Sequence, residues 1–381
     1  MSGSSLQVRP VVGRRDLAAF IDLPKRLYRG QPGYIAPLDL ERRESLTAKN
    51  PYFAHAKVQY WLAERRGRVV GRISAQIDQA YLDHYQDHTG HFGCLDAEDD
   101  AEAYAALLAT AEGWLRNQDM RRVTGPFSLS INEEAGLMID GFDSRSILLV
   151  PWNPPYAQRH VEAQGYAKAK DLLCYDYDVQ NSPETTGRKL IERAKVAERV
   201  RVRTADMRKF DREVAILLDI FNDAWSDNWG YVPLTPAEIA AAARTLRPVV
   251  IPECAVFTEL DGEPVAFILG IANLNEAIRD LDGKLLPFGW LKLLWRLKAR
   301  RPTSGRVPLM GVKRRFRNHP LLGAGLALMA IDEMRANGKK LGVRTAELGW
   351  ILEDNRATNS IIKSAGGVHY KTHRIYEKSL A

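Results

Sequence analysis

Alternating apolar and polar positions around tight glycine turns predict hairpins at "YWLAERRGRVVGRISAQI" (60–77) and "AVFTELDGEPVAFILGIA" (255–272). Apolar residues at three- and four-residue spacing predict amphipathic helices over "EAYAALLATAEGWLRNQ" (102–118) and "GLALMAIDEMRANG" (325–338). After each helix comes a strand-like run ending in Asn, "PFSLSIN" to Asn132 and "LGWILEDN" to Asn355. Each run leads on to a last strand, "GYAKAKDLLCYDYDV" (165–179) and "GGVHYKTHRIYEKSL" (366–380). Aligned without gaps, Gly165 falls on Gly366, Lys170 on Lys371 and Tyr175 on Tyr376. The same elements in the same order describe one fold written twice: helix, hairpin, strand, helix, strand, helix, strand. The expected division is a first copy over 1–180, a linker helix over 181–198 and a second copy over 199–381, each an α/β unit with a mixed sheet.

At 381 residues the chain exceeds one average domain, and 45% hydrophobic with 27% charged residues describes an ordinary folded protein. Its first thirty residues lack the apolar core of a secretory signal, and no apolar run approaches the roughly 18 residues of a spanning helix. A cytoplasmic protein is expected. Cys94, Cys174 and Cys254 lie far apart without a CxxC pair, which suggests buried small hydrophobes rather than a disulfide or zinc site. His84, His88 and His91 are close in sequence, but Gly90 interrupts the helix that would align them, so no metal is expected.

Charge changes the picture more by its placement than by its sum. From Gly283 to Ile331 there are eleven Lys and Arg residues and no Asp or Glu, although the whole chain carries only +7. That region needs an anionic partner. Within it, residues 276–305 are an insertion in the second copy that contains "LLPFGWLKLLWRLKARR" (285–301). On a helix starting after Pro287, Lys292, Arg296 and Arg300 share one stripe, and Trp290 and Trp295 lie with Phe288 and several Leu on the rest. Such a helix suits a membrane interface with anionic headgroups. The alternative is a helix clamped between the two copies. No nucleic-acid recognition motif accompanies the basic run, so nucleic acid is not the expected partner.

Further along, the strand "RVPLMGVKRR" and the loop "FRNHPLL" lead into "GAGLALM", which opens a helix with Gly323, Ala324 and Gly325. With the duplicated element order, this resembles the GNAT fold of acyl-CoA-dependent N-acyltransferases. The resemblance implies that amides at this glycine turn cradle the pyrophosphate of an acyl-CoA cosubstrate, with Arg314, Arg315 and Arg317 upstream and Asn355 nearby. It also implies that the strand residues Leu309, Met310, Gly311 and Val312 polarise the thioester through backbone N–H groups. Two departures stand out: Pro320 where the family has Arg or Gln, and Ile362 where it often has a proton-donating Tyr. In the first copy the matching loop is acidic, with Asp96, Glu98, Asp99, Asp100 and Glu102, so only the second copy is expected to bind acyl-CoA.

Acyl transfer to an amine requires a neutral nucleophile and a departing thiolate. Glu347 is the candidate base, or alternatively a structural carboxylate paired with an Arg. Tyr376 or Tyr370 is the displaced proton donor, and His369 or His373 can substitute in either role. The stretches "SLSINEEAGLMIDGFD" (128–143), "WNPPY", "SDNWGYVPLT" (226–235) and "WILEDNRATN" (350–359) resemble the bacterial ceramide synthase family. That resemblance implies transfer of a fatty acyl group to the amine of a sphingoid base such as 3-oxosphinganine; for the cytoplasmic protein, a peripheral place at the inner face of the inner membrane is the expectation. Asn132, Glu133, Trp229 and Tyr231 are then candidates for contact with this long-chain amine lipid. A soluble N-acyltransferase for a protein or small amine, and a non-catalytic acyl-CoA-binding protein, remain the alternatives.

Overall fold

The computed structural model describes residues 6–299, 302–319 and 321–381. The chain forms two compact units, one of Met1–Leu172, Ile278–Leu294 and Lys371–Ala381, the other of Leu173–Ala277 and Trp295–Tyr370.

In the first unit the strand Gln7–Pro10 pairs with Ala56–Arg65, which forms the predicted hairpin with Arg68–Asp78. Thr89–Ala97 follows antiparallel, then Arg122–Gly125 parallel to it. The chain's C-terminal segment completes the series, with Tyr376 opposite Gly125. The helix Ala101–Arg116 packs on one face through Tyr104, Leu107, Leu108 and Leu115, and Gly13–Leu27 lies on the other through Phe20 and Ile21. Both faces being covered explains the near-continuous burial of Thr89–Ala97. The insertion is tied down here: Gly283 accepts from the Asp39 amide at 2.9 Å, and a Cβ at Gly283 would stand 2.7 Å from the Pro37 carbonyl.

The second unit repeats the plan. Val200–Thr204, the hairpin Val250–Leu260 and Glu263–Ala272, and Ser304–Val312 run antiparallel in succession, and Thr345–Leu352 lies parallel to the last. The final place in this series belongs to the strand that ends the first half of the chain, from Leu173 onward. The 19-residue helix Leu322–Lys340 covers one face through Leu328, Ile331 and Met334, and Phe210–Trp225 covers the other through Ile220 and Phe221. The duplicated α/β fold expected from the pattern is thus present, with the insertion forming the helix Gly289–Ala299.

Candidate active site

The parallel pairing of Ser304–Val312 with Thr345–Leu352 runs only from Ser304 opposite Thr345 to Val307 opposite Leu348. The next residue is Pro308, which has no N–H to give a neighbouring strand. Beyond this point a cavity of about 370 Å³ opens, lined by Pro308, Met310, Gly311 and Val312 on one edge and by Gly349, Trp350 and Ile351 on the other.

Backbone direction inside the cavity follows from one hydrogen bond. Lys313 donates its amide to the Val265 carbonyl at 2.9 Å, so Lys313 faces the Glu263–Ala272 strand. Successive residues of an extended strand alternate sides, which turns Gly311 the same way and Met310 and Val312 towards the cavity. In agreement, the Met310 carbonyl accepts from the Trp225 indole at 3.0 Å. The Met310 amide shares that side and is available to polarise a carbonyl.

At the mouth stand Arg317, His319, Gly323 and Ala324. A Cβ on Gly323 would meet the Phe316 carbonyl at 2.7 Å, so the close approach of the helix start to the preceding turn requires glycine. Gly325 lies outside the cavity lining: it packs against Ile191, whose Cδ1 would be 2.8 Å from an added Cβ. His319 Nδ1 accepts from the amides of Leu321 at 3.3 Å and Leu322 at 3.1 Å, capping the helix. The neighbouring cations already have acidic partners. Arg315 pairs with Glu263, Arg314 lies 3.2 Å from Asp227, and Arg317 donates to the Ala224 carbonyl at 3.1 Å and lies 3.6 Å from Asp227. These pairs are exposed and therefore weak. Asn355 lines the cavity and caps the Arg356–Ser364 helix, accepting from the Thr358 amide at 3.1 Å. Ile362 lines its apolar side.

Glu347 is fully buried, one residue before the end of the ladder. Its neighbours Ala346 and Leu348 belong to the core under Leu322–Lys340, so alternation sends the Glu347 side chain to the opposite face. There Arg306 Nε lies 3.6 Å from Oε1, and the Tyr370 hydroxyl donates to Oε2 at 2.5 Å. The sequence thus brings Glu347 and Tyr370 together, with Arg306 as a partner that sequence reasoning did not name.

Tyr376 is not brought to this group. It lies in the core of the first unit, where its hydroxyl donates to Glu162 at 2.9 Å, because the C-terminal strand completes that unit. His373 is buried in the same unit, 2.9 Å from the Pro151 carbonyl. His369 is exposed, its ring 5.8 Å from that of Tyr175.

The candidate amine contacts divide between the units. In the first, Asn132 is exposed, while Glu133 accepts from the Leu129 amide at 2.6 Å and from Asn50 at 2.9 Å. Desolvation pushes the Glu133 carboxyl up to about 7 against both of these bonds. In the second, Trp229 is half-buried and Tyr231 donates to Asn222 at 2.9 Å, neither of them lining the cavity. Trp225, Asn228, His319 and Trp350 line it without having been singled out from the sequence. Asn228, Trp350 and His319 lie within the stretches 226–235, 350–359 and "FRNHPLL" already quoted, and Trp225 lies just before the first of them.

On the inserted helix and the turn before it, Leu286, Phe288, Trp290, Leu291, Leu294 and Trp295 are all exposed, Leu286 by 78% and Phe288 by 73%. Lys292 pairs with Asp280, and Arg296 donates to the Ala277 carbonyl at 2.7 Å, so both cations reach back to the protein. Arg300, the third of that stripe, and Pro320 lie outside the described residues. Among the described residues no helix is long and apolar enough to cross a membrane, and no His, Cys, Asp and Glu group could hold a metal ion.

No family model matches the chain. Over 381 residues, 100% of this chain and 99% of the relative, it is 45% identical to the bacterial ceramide synthase of Caulobacter vibrioides. It is 42% identical to protein YghO of Escherichia coli over 376 residues, 98% of this chain and 95% of that one. Among solved structures it resembles a tandem GNAT protein from the clavulanic acid biosynthesis pathway, with TM-score 0.59 and 15% identity over 99% of each chain. A GCN5-related N-acetyltransferase from Sphaerobacter thermophilus matches with TM-score 0.56 and 13% identity, over 98% of this chain and 96% of that one. At such identities these two likenesses establish the tandem GNAT fold.

Proposed function

The chain belongs to the family of the bacterial ceramide synthase, and from that premise we propose that it transfers a fatty acyl group from acyl-CoA to the primary amine of a sphingoid base. The observation that carries the reading is the opening after Pro308, where Met310 turns an amide inward, while the buried Glu347 carboxylate lies one residue before the end of the same ladder, outside the cavity lining. The nucleotide end of the donor lies at the mouth, against Arg317, His319 and the Gly323 turn. Its thioester oxygen takes the Met310 amide as donor. The amine nitrogen then attacks the carbonyl carbon, a C–N bond forms, and the C–S bond breaks. Glu347 receives the proton that the amine sheds, and the Tyr370 phenol, hydrogen-bonded to it at 2.5 Å, passes a proton to the departing thiolate.

The first unit supports this division of labour, because the gap that matches the second unit's opening is filled by its own backbone. Its strand Thr89–Ala97 pairs with Arg122–Gly125 only through His91, yet a Cβ on Gly93 would stand 1.5 Å from the Phe127 carbonyl, so its own backbone fills the gap. Asp100 occupies the start of the following helix, accepting from the Glu102 and Ala103 amides.

The six exposed apolar side chains from Leu286 to Trp295 then serve to seat the enzyme on a bilayer, where a long-chain amine resides. The decisive assay is thiol release from acyl-CoAs of graded length with long-chain or water-soluble amines. Release that requires a sphingoid base is the expected result; release only with short acyl groups and soluble amines overturns the lipid substrate. For docking, a blue shift of Trp emission with anionic vesicles, lost in Trp290→Ser/Trp295→Ser, is expected. No shift at any anionic lipid content overturns it.

A further inference from the structure

A second void of about 30 Å³ lies under the later turns of the Leu322–Lys340 helix. Tyr177, Val307 and Met334 line both this void and the large cavity, so these three side chains form the partition between them. We propose that the acyl chain of the donor runs along the underside of this helix to that partition and past it, and that Met334 sets the longest chain accepted. The inference rests on the acyl-CoA reading above.

The direction follows from the order of chemistry along the helix. Polar groups for the nucleotide cluster near Gly323, and the remaining wall towards Met334 is apolar, through Ile268, Ile331 and Ile362. From Gly323 to Met334 the helix rises about 16 Å at roughly 1.5 Å per residue, enough to separate a phosphate end from a hydrocarbon end. The three partition residues differ in freedom. Val307 is fixed in the ladder opposite Leu348, and Tyr177 is a buried ring on a strand. Met334, buried but unbranched, is the one whose side chain can fold aside for a hydrocarbon. Past it the lining includes the small residues Cys254, Gly270, Gly338 and Ala346, beside Ile251, Val343 and the buried Arg306 and Arg335. A Cβ on Gly270 would lie 2.7 Å from Cys254 Cβ and 3.5 Å from Met334 Sδ, so glycine there preserves the space.

The test is the profile of kcat/KM from octanoyl- to stearoyl-CoA for wild type, Met334→Ala and Ala346→Leu. Met334→Ala is expected to shift the optimum to longer chains. Ala346→Leu is expected to cut kcat/KM for the longest good wild-type donor about 10- to 100-fold and to leave octanoyl-CoA within about threefold. A measurement on the unaltered enzyme guards against misfolded variants: its thermal upshift should grow with acyl length and then level off at the kinetic limit. An upshift flat from octanoyl-CoA upwards, or variant profiles parallel to wild type, overturns the inference while thiol release by wild type sustains acyl transfer. Absence of release from every acyl-CoA overturns the acyltransferase reading as well.

Discussion

Tyr370 donates its phenolic hydrogen to Glu347 Oε2 across 2.5 Å, while Arg306 holds the other oxygen from 3.6 Å. If the pair relays a proton from amine to thiolate, the two residues act as one unit. Glu347→Gln should lower kcat roughly 10²- to 10⁴-fold. Tyr370→Phe should cost less, and the double variant should lose little beyond Glu347→Gln, because coupled residues are not additive. Glu347→Gln also leaves Arg306 buried without its counter-charge, a cost of about 3–5 kcal/mol. Kinetics are therefore to be compared well below each variant's own melting temperature. Additive losses in the double variant would argue against a relay.

The two glycines of the turn have different duties, and alanine separates them. At Gly323 the added carbon meets backbone, the Phe316 carbonyl at 2.7 Å and Arg317 Cα at 2.9 Å, and the helix start has to move. Gly323→Ala should raise KM for acyl-CoA about tenfold and cost about 1–3 kcal/mol. At Gly325 the nearest atom is the tip of Ile191, which can turn away, and alanine gains about 1 kcal/mol of helix propensity. Gly325→Ala should leave KM unchanged and stability within about 1 kcal/mol. Equal effects on KM would show that the cavity mouth is set elsewhere.

Stability against pH in the first unit contains two opposing contributions. Burial lifts the Glu133 carboxyl from 4.5 to about 7, so the folded state keeps a proton the unfolded chain releases, and stability falls as pH rises through that interval. Burial lowers the His91 imidazole from 6.5 to about 4, so the folded state lacks a proton the unfolded chain holds, and stability rises from pH 4 to 6.5. Between pH 4.5 and 6.5 the two largely cancel. Glu133→Gln should unmask the His91 dependence, with acidification from 6.5 to 4 costing up to about 3 kcal/mol, read as melting temperature against pH. An unchanged profile would mean that Glu133 does not titrate in this range.

The duplication was legible because periodicity and turn chemistry are local. Both halves carry the same hairpin, helix and closing strand, and Gly165 and Gly366, aligned from sequence, both adopt positive φ, at +80° and +103°. What local pattern does not encode is which unit each closing strand joins. Tyr175 and Tyr376 occupy matching places, and each donates to the last helix of the other half of the chain, Tyr175 to Asn359 at 2.8 Å and Tyr376 to Glu162 at 2.9 Å. The repeat makes the strands interchangeable in pattern, so reading the second half alone put Tyr376 beside Glu347, whereas the second unit contains Tyr175. Tyr370 escaped this error because it precedes the point where the strand enters the first unit. The glycine turn was legible as a strand-to-helix junction, but the acids of the Phe210–Trp225 helix that engage Arg314 and Lys313, Asp223 and Asp219, are distant in sequence.

Pro308 is the first position past the Val307–Leu348 pair, and with Val307 it lies in the register irregularity between the Leu269–Leu309 and Ile271–Arg306 pairs. A residue with an N–H there could add a rung towards Thr345–Leu352 and draw the two edges together. Pro308→Val should therefore raise stability by about 0.5–1.5 kcal/mol, the net value of one hydrogen bond, since valine also suits a strand. The same rung narrows the cavity that the donor enters, so KM for acyl-CoA should rise about tenfold, corresponding to roughly 1.4 kcal/mol of lost binding. General damage lowers stability and affinity together, whereas closure of the splay moves them in opposite directions. Melting temperature and acyl-CoA KM measured on the same preparation distinguish the two. A variant that melts lower than wild type, or binds acyl-CoA equally well, would mean that the strands part for a reason other than the missing amide.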